Sequence, residues 1–198
     1  MTGPAAAAPA RPPVVLDTGF LLSVAVDDEV TRHLKNRWEG RNQEVLVPKE
    51  VSEELTRASQ PGYGGNIPRG LVGSAVKKTT FLGTVVRLDD AELVAFQELH
   101  ERLASQEDSG KHVGEAAVAA VARCRHGVAL LEDNAARRVL QETVTCMGLR
   151  ELLYSLLNDG FLTDADVDGF IGRLVQNGRP NFHGVTAAEI RASPLQTL

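Results

Sequence analysis

Two acidic positions, each at the end of a short apolar run, are the residues of this chain best suited to chemistry. Asp17 follows the run 14–16, and Glu132 and Asp133 follow the run 128–131. A short apolar run that precedes a helix is typical of a buried strand in a parallel α/β sheet. Ligands of such sheets bind outside the carboxyl ends of the strands. Asp17 and Asp133 are therefore expected at one sheet edge.

Carboxylates gathered at one edge repel one another unless a positive charge neutralises them. A hard divalent cation with oxygen ligands is the usual solution in proteins. The two acidic positions therefore predict a metal-dependent enzyme.

The elements that must position these acids form an alternating pattern of strands and helices, which predicts an α/β domain. Strands are predicted at 13–17, 45–47, 84–88 and 128–131, and helices at 18–28, 29–38, 48–57, 89–104, 114–125 and 134–143. Two further helices, 148–158 and 163–175, are expected to form a C-terminal hairpin packed against the domain. The glycine-rich stretch 59–73 is predicted to be a loop.

The 198 residues are enough for one substantial core. We expect a disordered Ala/Pro-rich tail at 1–12, an α/β domain at 13–146, a helical extension packed on it at 147–180 and an irregular tail at 181–198. No apolar stretch is long enough to span a bilayer, and the N-terminus lacks the layout of a signal peptide, so a cytoplasmic location is expected. The net charge of −5 is weak evidence against a nucleic-acid enzyme, since acids of an active site contribute to it.

Two more glutamates complete a set of four acidic motifs. Glu54 lies in Val-Pro-Lys-Glu-Val-Ser-Glu-Glu-Leu, and Glu115 lies in Gly-Glu-Ala-Ala. Asp17 lies in Val-Leu-Asp-Thr-Gly-Phe-Leu-Leu, and Asp133 lies in Leu-Leu-Glu-Asp-Asn-Ala-Ala-Arg-Arg. In this order and spacing the motifs resemble those of PIN-domain ribonucleases, including VapC-like toxins and related small prokaryotic PIN proteins.

The resemblance implies a twisted parallel sheet flanked by helices and an acidic pocket that binds Mg²⁺ or Mn²⁺. A divalent cation there would activate water and stabilise charge on phosphate oxygens. The implied catalytic residues and metal ligands are Asp17, Glu115 and Asp133, with Glu132 as an alternative ligand. Glu54 either binds the metal through water or braces the pocket. Asn134 stands where some relatives carry another acid, so the number of metal ions stays open.

The resemblance also implies partners. The substrate would be single-stranded RNA, and the protein would be the toxin of a toxin–antitoxin pair. Its antitoxin would present an arginine or lysine to the carboxylates, and the helices spanning 29–57 would form the groove for that partner and for a homodimer. No membrane association is expected.

Each candidate residue also has a purely structural interpretation. Asp17 is suited to cap the following helix, as is Thr18, and an acid in a first helical turn such as Glu115 is favoured by the helix dipole alone. Basic side chains near the glycine-rich stretch are suited either to phosphate binding or to a solvated surface: Arg69, Lys77 and Lys78. All five histidines are interpreted as surface or packing residues.

Two other motif matches are rejected. Asp17-Thr18-Gly19 matches the turn of aspartic proteases, but those enzymes need a second copy in an all-β scaffold. Residues 164–169 begin like an EF-hand loop, but the twelfth position is Val175 rather than glutamate, and the segment fits a capped helix. Three rival functions stay open: a non-catalytic binding module, a housekeeping RNA-processing enzyme, and a nuclease of DNA or flap structures.

Overall fold

The computed structural model describes residues 11–63, 67–105 and 112–192. Within them, five strands form one all-parallel sheet in the order β3-β2-β1-β4-β5. The strands are β1 Val14–Leu16, β2 Val45–Pro48, β3 Thr84–Val86, β4 Val128–Leu130 and β5 Thr145–Met147. The predicted α/β fold class is confirmed.

Helices connect the strands and cover the sheet. They are α1 Thr18–Val24, α2 Asp28–Gly40, α3 Lys49–Ala58, α4 Arg69–Leu82, α5 Asp90–Ala104, α6 Val113–Cys124, α7 Asn134–Leu140, α8 Leu149–Asn158, α9 Asp164–Gln176 and α10 Ala187–Ala192, with a 3₁₀ turn at Pro180–Phe182. No helix in these ranges is long and apolar enough to cross a bilayer.

The central strand β1 lies between β2 and β4, so the chain order reverses at β1. Val14 pairs with Val128 and Leu16 pairs with Leu130, which brings the ends of β1 and β4 level with each other. A crevice opens at such a reversal point, outside the carboxyl ends of the strands. The residues that follow Leu16 and Leu130 are thus the ones that the topology brings together.

Helix α6 packs against β1, β2 and β4 and forms the centre of one layer. Its residues 116–122 are alanines and valines that are all buried. Small side chains let a helix axis approach a sheet closely, and β1 is itself fully buried. This packing holds the N-terminus of α6 at the carboxyl edge of the sheet.

The C-terminal helices are joined to the domain by two ion pairs, each of which has one buried partner. Arg37 of α2 donates to Asp159, at the end of α8, and to the hydroxyl of Ser155. Arg173 of α9 pairs with Asp27, whose side chain also caps α2. Burial alone would raise the pKa of Asp159, but the hydrogen bond and charge of Arg37 hold it below its usual value.

Several predicted boundaries were wrong. Helix α4 begins at Arg69, inside the predicted loop 59–73, because Leu71, Val72 and Ala75 are buried although glycines interrupt the apolar pattern. Strand β5 was not predicted, since its sequence Thr-Cys-Met does not form an apolar run.

The predicted irregular tail at 181–198 contains α10, whose Ala187 and Ile190 are buried. Residues 193–198, the rest of that tail, lie outside the described residues, as do residues 1–10 of the predicted N-terminal tail. Pro12, in the predicted N-terminal tail, accepts a hydrogen bond from Gln43. The segment resembling an EF-hand is a helix instead, and Thr163 and Asp166 form its capping box.

Candidate metal centre

Asp17 follows β1 and serves as the N-cap of α1. Its Oδ1 accepts a hydrogen bond from the backbone N–H of Phe20 at 2.5 Å, and its Oδ2 accepts one from the N–H of Glu132 at 3.2 Å. The residue is 3% exposed. Burial, with smaller contributions from the charges of Glu132 and Glu115, raises the pKa of Asp17 well above its usual value. A cation near this carboxyl group would offset that unfavourable burial.

Asp133 and Glu132 follow β4 and extend the same edge. Asp133 caps α7 through Oδ1, which accepts hydrogen bonds from Ala135 at 2.7 Å and Ala136 at 2.9 Å. Its second oxygen makes no hydrogen bond within the described ranges. Glu132 accepts from the N–H of Leu149 at 2.9 Å. Burial raises the pKa of Glu132, and the positive charges of Arg179 and of Arg137 in α7 reduce that rise.

Glu115 enters the site from the first turn of α6. Burial, followed by the charges of Glu54 and Asp133, raises its pKa. Glu54 reaches the site from α3 and accepts a hydrogen bond from the hydroxyl of Thr18 at 2.7 Å. A Cβ at Gly114 would lie 2.8 Å from a carboxylate oxygen of Glu54, so glycine there permits α3 and α6 to bring their acids together.

His112 precedes α6 and stands in the left-handed region, with φ of +78°. Its Nδ1 lies 3.9 Å from Oε2 of Glu115. His112, Glu115 and Asp133 can each present one ligand atom within 4.8 Å of the others, and this is the one such group in the described part of the chain. Asp17 and Glu132 lie outside this tight group.

One cavity of about 390 Å³ is lined by the acids of this site, and His112 lies beside Glu115 at its edge without lining it. Its acidic lining residues are Asp17, Glu54, Glu115, Glu132 and Asp133, all five of the acids that the sequence nominates. Oxygen ligands with one imidazole nitrogen suit a divalent cation such as Mg²⁺ or Mn²⁺. Burial first, and then neighbouring acidic charges, raise the pKa of Asp17, Glu115 and Glu132, which is what a cavity that gathers acids without a cation should produce.

The basic residues near the glycine-rich stretch are not part of this lining. Arg69, Lys77 and Lys78 are absent from it. Lys78 instead pairs with Asp28 at the start of α2. The cation that does line the cavity is Arg179, from the segment after α9.

The sequence interpretation missed two residues of this region: His112, which lies beside Glu115 and Asp133, and Arg179, which lines the cavity. The signal for His112 was its spacing of three residues from Glu115 at a helix start, which puts both side chains on one side. For Arg179 no local signal exists, because only the folding of the C-terminal segment brings it to the sheet edge.

Comparison of the structure with solved structures identifies similar folds. DNA-bound VapBC from Salmonella typhimurium matches with a TM-score of 0.51 and 12% identity, over 70% of this chain and 98% of that chain. The fold is PIN-like. VapBC2 from Rickettsia felis, bound to a DNA fragment from the promoter, gives a TM-score of 0.49 and 11% identity over 68% of this chain and 97% of that chain.

At this level of identity the structural likeness concerns the fold alone. No protein-family model matches the sequence, and no curated protein matches it either. Evidence for function must therefore come from the residues of the PIN-like pocket.

Proposed function

We propose that this protein is a metal-dependent endoribonuclease that hydrolyses phosphodiester bonds of RNA. The observation that carries the proposal is the convergence of five carboxyl groups in one cavity at the sheet edge. Burial raises the pKa of Asp17, Glu115 and Glu132, and the charges of other acids in the cavity add to this rise for Asp17 and Glu115. Such an assembly is costly without a divalent cation and well suited to holding one.

Asp17, Glu115 and Asp133 are the proposed metal ligands, with Glu132 as the alternative to one of them. The bound cation, Mg²⁺ or Mn²⁺, would supply an activated water and stabilise charge on phosphate oxygens. Hydrogen bonds from backbone N–H groups orient Asp17 and Asp133, so both carboxyl groups are pre-positioned. Glu54, held by Thr18, braces the pocket beside α6.

His112 favours Mn²⁺ over Mg²⁺ as the resident ion. Imidazole is a good ligand for transition metals, whereas Mg²⁺ selects oxygen ligands and retains its own water. The distance of 3.9 Å between Nδ1 of His112 and Glu115 suits two groups that share one ion.

The toxin role extends the same proposal. It draws on the resemblance of the acidic motifs and on the likeness of the fold to proteins described as VapBC complexes. An antitoxin would inhibit the enzyme by placing an arginine or lysine among the carboxylates. A homodimer through the α2 and α3 region and action on RNA in the cytoplasm belong to this proposal.

Cleavage of a labelled single-stranded RNA by the purified protein tests the proposal. We expect cutting with Mn²⁺ or Mg²⁺ that EDTA abolishes and that Asp17→Ala reduces at least about 100-fold, since metal-assisted charge stabilisation contributes several kcal/mol. An exposed acid away from the pocket, Glu98, provides the control Glu98→Ala, which should cleave normally. Intact RNA with every metal, from protein that melts cooperatively, would favour a non-catalytic binding module.

A further inference from the structure

Arg179 is held over the acidic cavity by its own backbone. Its N–H donates to the carbonyl of Leu174 at 3.0 Å, and its carbonyl accepts from Phe182 at 3.2 Å. The preceding Gly178 has φ of +78°, which glycine adopts without strain, and Phe182 is buried. The end of α9 and the 3₁₀ turn therefore fix Arg179 in place.

The guanidinium group of Arg179 has fewer partners than the other half-buried arginines. Its Nη2 donates to the carbonyl of Gly19 at 3.2 Å, and across the described ranges it has no carboxylate within 4.0 Å. Arg37 and Arg125, by contrast, each form a close ion pair with an acid. Arg179 thus brings a positive charge and unused donors to a cavity that otherwise presents acids.

Charge interactions link Arg179 to the metal pocket without a direct ion pair. Burial lowers its pKa, and the nearby charges of Glu132 and Asp17 reduce that effect. A guanidinium group forms strong hydrogen bonds with phosphate oxygens and stays charged at every relevant pH. An RNA phosphate entering among five carboxylates needs such a group on the protein side.

A second cavity, of about 380 Å³, adjoins the first. The two cavities share the lining residues Glu132, Asn181 and Phe182, two of which belong to the 3₁₀ turn. Arg150 lines the second cavity, donates to the carbonyl of Asn181 at 3.0 Å, and lies 5.8 Å from the ring centre of Phe182. Arg150 and Arg179 therefore line two cavities that adjoin at this turn, and we call the two cavities together the groove.

We propose that Arg179 binds the phosphate group at the cleavage position and that Arg150 binds a neighbouring phosphate of the same single strand. The turn Pro180–Phe182 between them would then form the substrate-binding wall of the groove. This inference rests on the proposed function, because it assigns the RNA contacts of the same pocket. It gives a chain of net charge −5 two positively charged contacts for a polyanion beside the acidic cavity.

The test compares Arg179→Ala, Arg179→Lys and Arg150→Ala with the matched control Arg191→Ala. Arg191 is an exposed arginine of α10 that pairs with Asp164 outside both cavities. Two quantities are measured over a range of salt concentrations: cleavage kinetics on a labelled single-stranded RNA in Mn²⁺, and binding of the same RNA with Ca²⁺ in place of Mn²⁺, under conditions where the RNA stays intact. Thermal melting with and without Mn²⁺ reports on folding and on the metal pocket.

For Arg179→Ala we expect kcat/KM to fall about 100-fold, as with loss of one donor to developing charge. The RNA affinity of this variant should fall, and the slope of log affinity against log salt concentration should become shallower by about one. Arg179→Lys should restore RNA affinity more fully than kcat/KM. Lysine keeps the positive charge but lacks the planar guanidinium group that forms two parallel hydrogen bonds to a phosphate. Arg150→Ala should raise KM with kcat retained, and Arg191→Ala should match the unmodified protein.

The outcomes separate the possible failures. If Arg179→Ala keeps its Mn²⁺-induced rise in melting temperature but binds and cleaves RNA as well as or better than the unmodified protein, Arg179 is an internal counter-ion and the inference is wrong. If the unmodified protein binds RNA without cutting it, the nuclease proposal fails, and weaker binding by Arg179→Ala still supports the phosphate contact. Absence of both binding and cutting overturns both proposals.

Discussion

Two glutamates lie in the first turns of the neighbouring helices α5 and α6 and have opposite surroundings. Glu92 of α5 is completely buried, pairs with Arg125 at 2.7 Å and completes a capping box with Asp89. Glu115 of α6 is partly buried but faces Glu54 and Asp133, and its pKa is raised. The difference separates a carboxylate that stabilises the fold from one that, in our proposal, binds a metal ion.

Physical chemistry explains why both arrangements persist. A buried carboxylate is tolerated when a cation and hydrogen bonds compensate for its lost hydration. Glu92 receives this compensation from Arg125 and from its capping box, so its burial is stabilised as soon as the chain folds. Glu115 receives little of it, so its compensation must come from outside, from a metal ion in our proposal.

The largest expected effect on stability comes from removing Arg125, the ion-pair partner of Glu92. We expect Arg125→Ala to lower the free energy of unfolding by about 3 kcal/mol, because it leaves a buried carboxylate without its cation. The matched control is Arg123→Ala, which removes the exposed pair with Glu98 and should cost at most about 1 kcal/mol. Urea unfolding of both variants measures the difference, and equal losses would contradict our account of Glu92.

Adding a metal ion should make Glu115 resemble Glu92. Mn²⁺ at about 100 times its dissociation constant should stabilise the protein by about 2.7 kcal/mol, seen as a higher melting temperature. His112→Asn should reduce Mn²⁺ affinity about 10-fold and change Mg²⁺ affinity less. Asparagine tolerates the left-handed backbone there, so the start of α6 is preserved.

Calorimetric titration of Mn²⁺ and Mg²⁺ measures these affinities directly. His33→Ala, in α2, is the control and should leave both affinities unchanged. Equal losses for the two metals in His112→Asn would mean that His112 acts on the pocket without binding the ion.

Neutralising Glu115 gives the smallest expected effect. Without metal at neutral pH, Glu115→Gln should stabilise the protein by on the order of 1 kcal/mol, since it removes a carboxylate with a raised pKa. The same substitution should weaken Mn²⁺ stabilisation. Glu98→Gln, on the exposed face of α5, should do neither.

The raised carboxyl pKa values also predict how the stability of the metal-free protein changes with pH. A carboxyl group whose pKa is raised by folding favours the folded state fully below its usual pKa, about 4, and this contribution is lost as pH rises through the raised value. Asp17, Glu115 and Glu132 all have this direction of shift. The metal-free protein should therefore lose stability as pH rises over that range, and Glu115→Gln should lose less. A parallel loss in both proteins would contradict the assignment.

Much of the fold could be predicted from local pattern. The runs that became β1, β2 and β4 are apolar throughout, as expected for strands buried on both faces, and the strand ends located Asp17 and Asp133. Helix α4 and strand β5 could not be predicted in this way. Glycines obscured the apolar face of α4, and the sequence of β5, Thr-Cys-Met, does not form an apolar run.

By itself, the sequence determined the α/β class and nominated every acid that lines the cavity, because strand ends and helix starts are local features of hydrophobic pattern and capping chemistry. Only the tertiary structure decided which arginines lie near the buried and partly buried acids. Arg125 neutralises Glu92, and Arg179 crosses from the C-terminal segment to the sheet edge. The first contact depends on how α5 and α6 pack and the second on how α9 and the 3₁₀ turn pack, which no local pattern encodes.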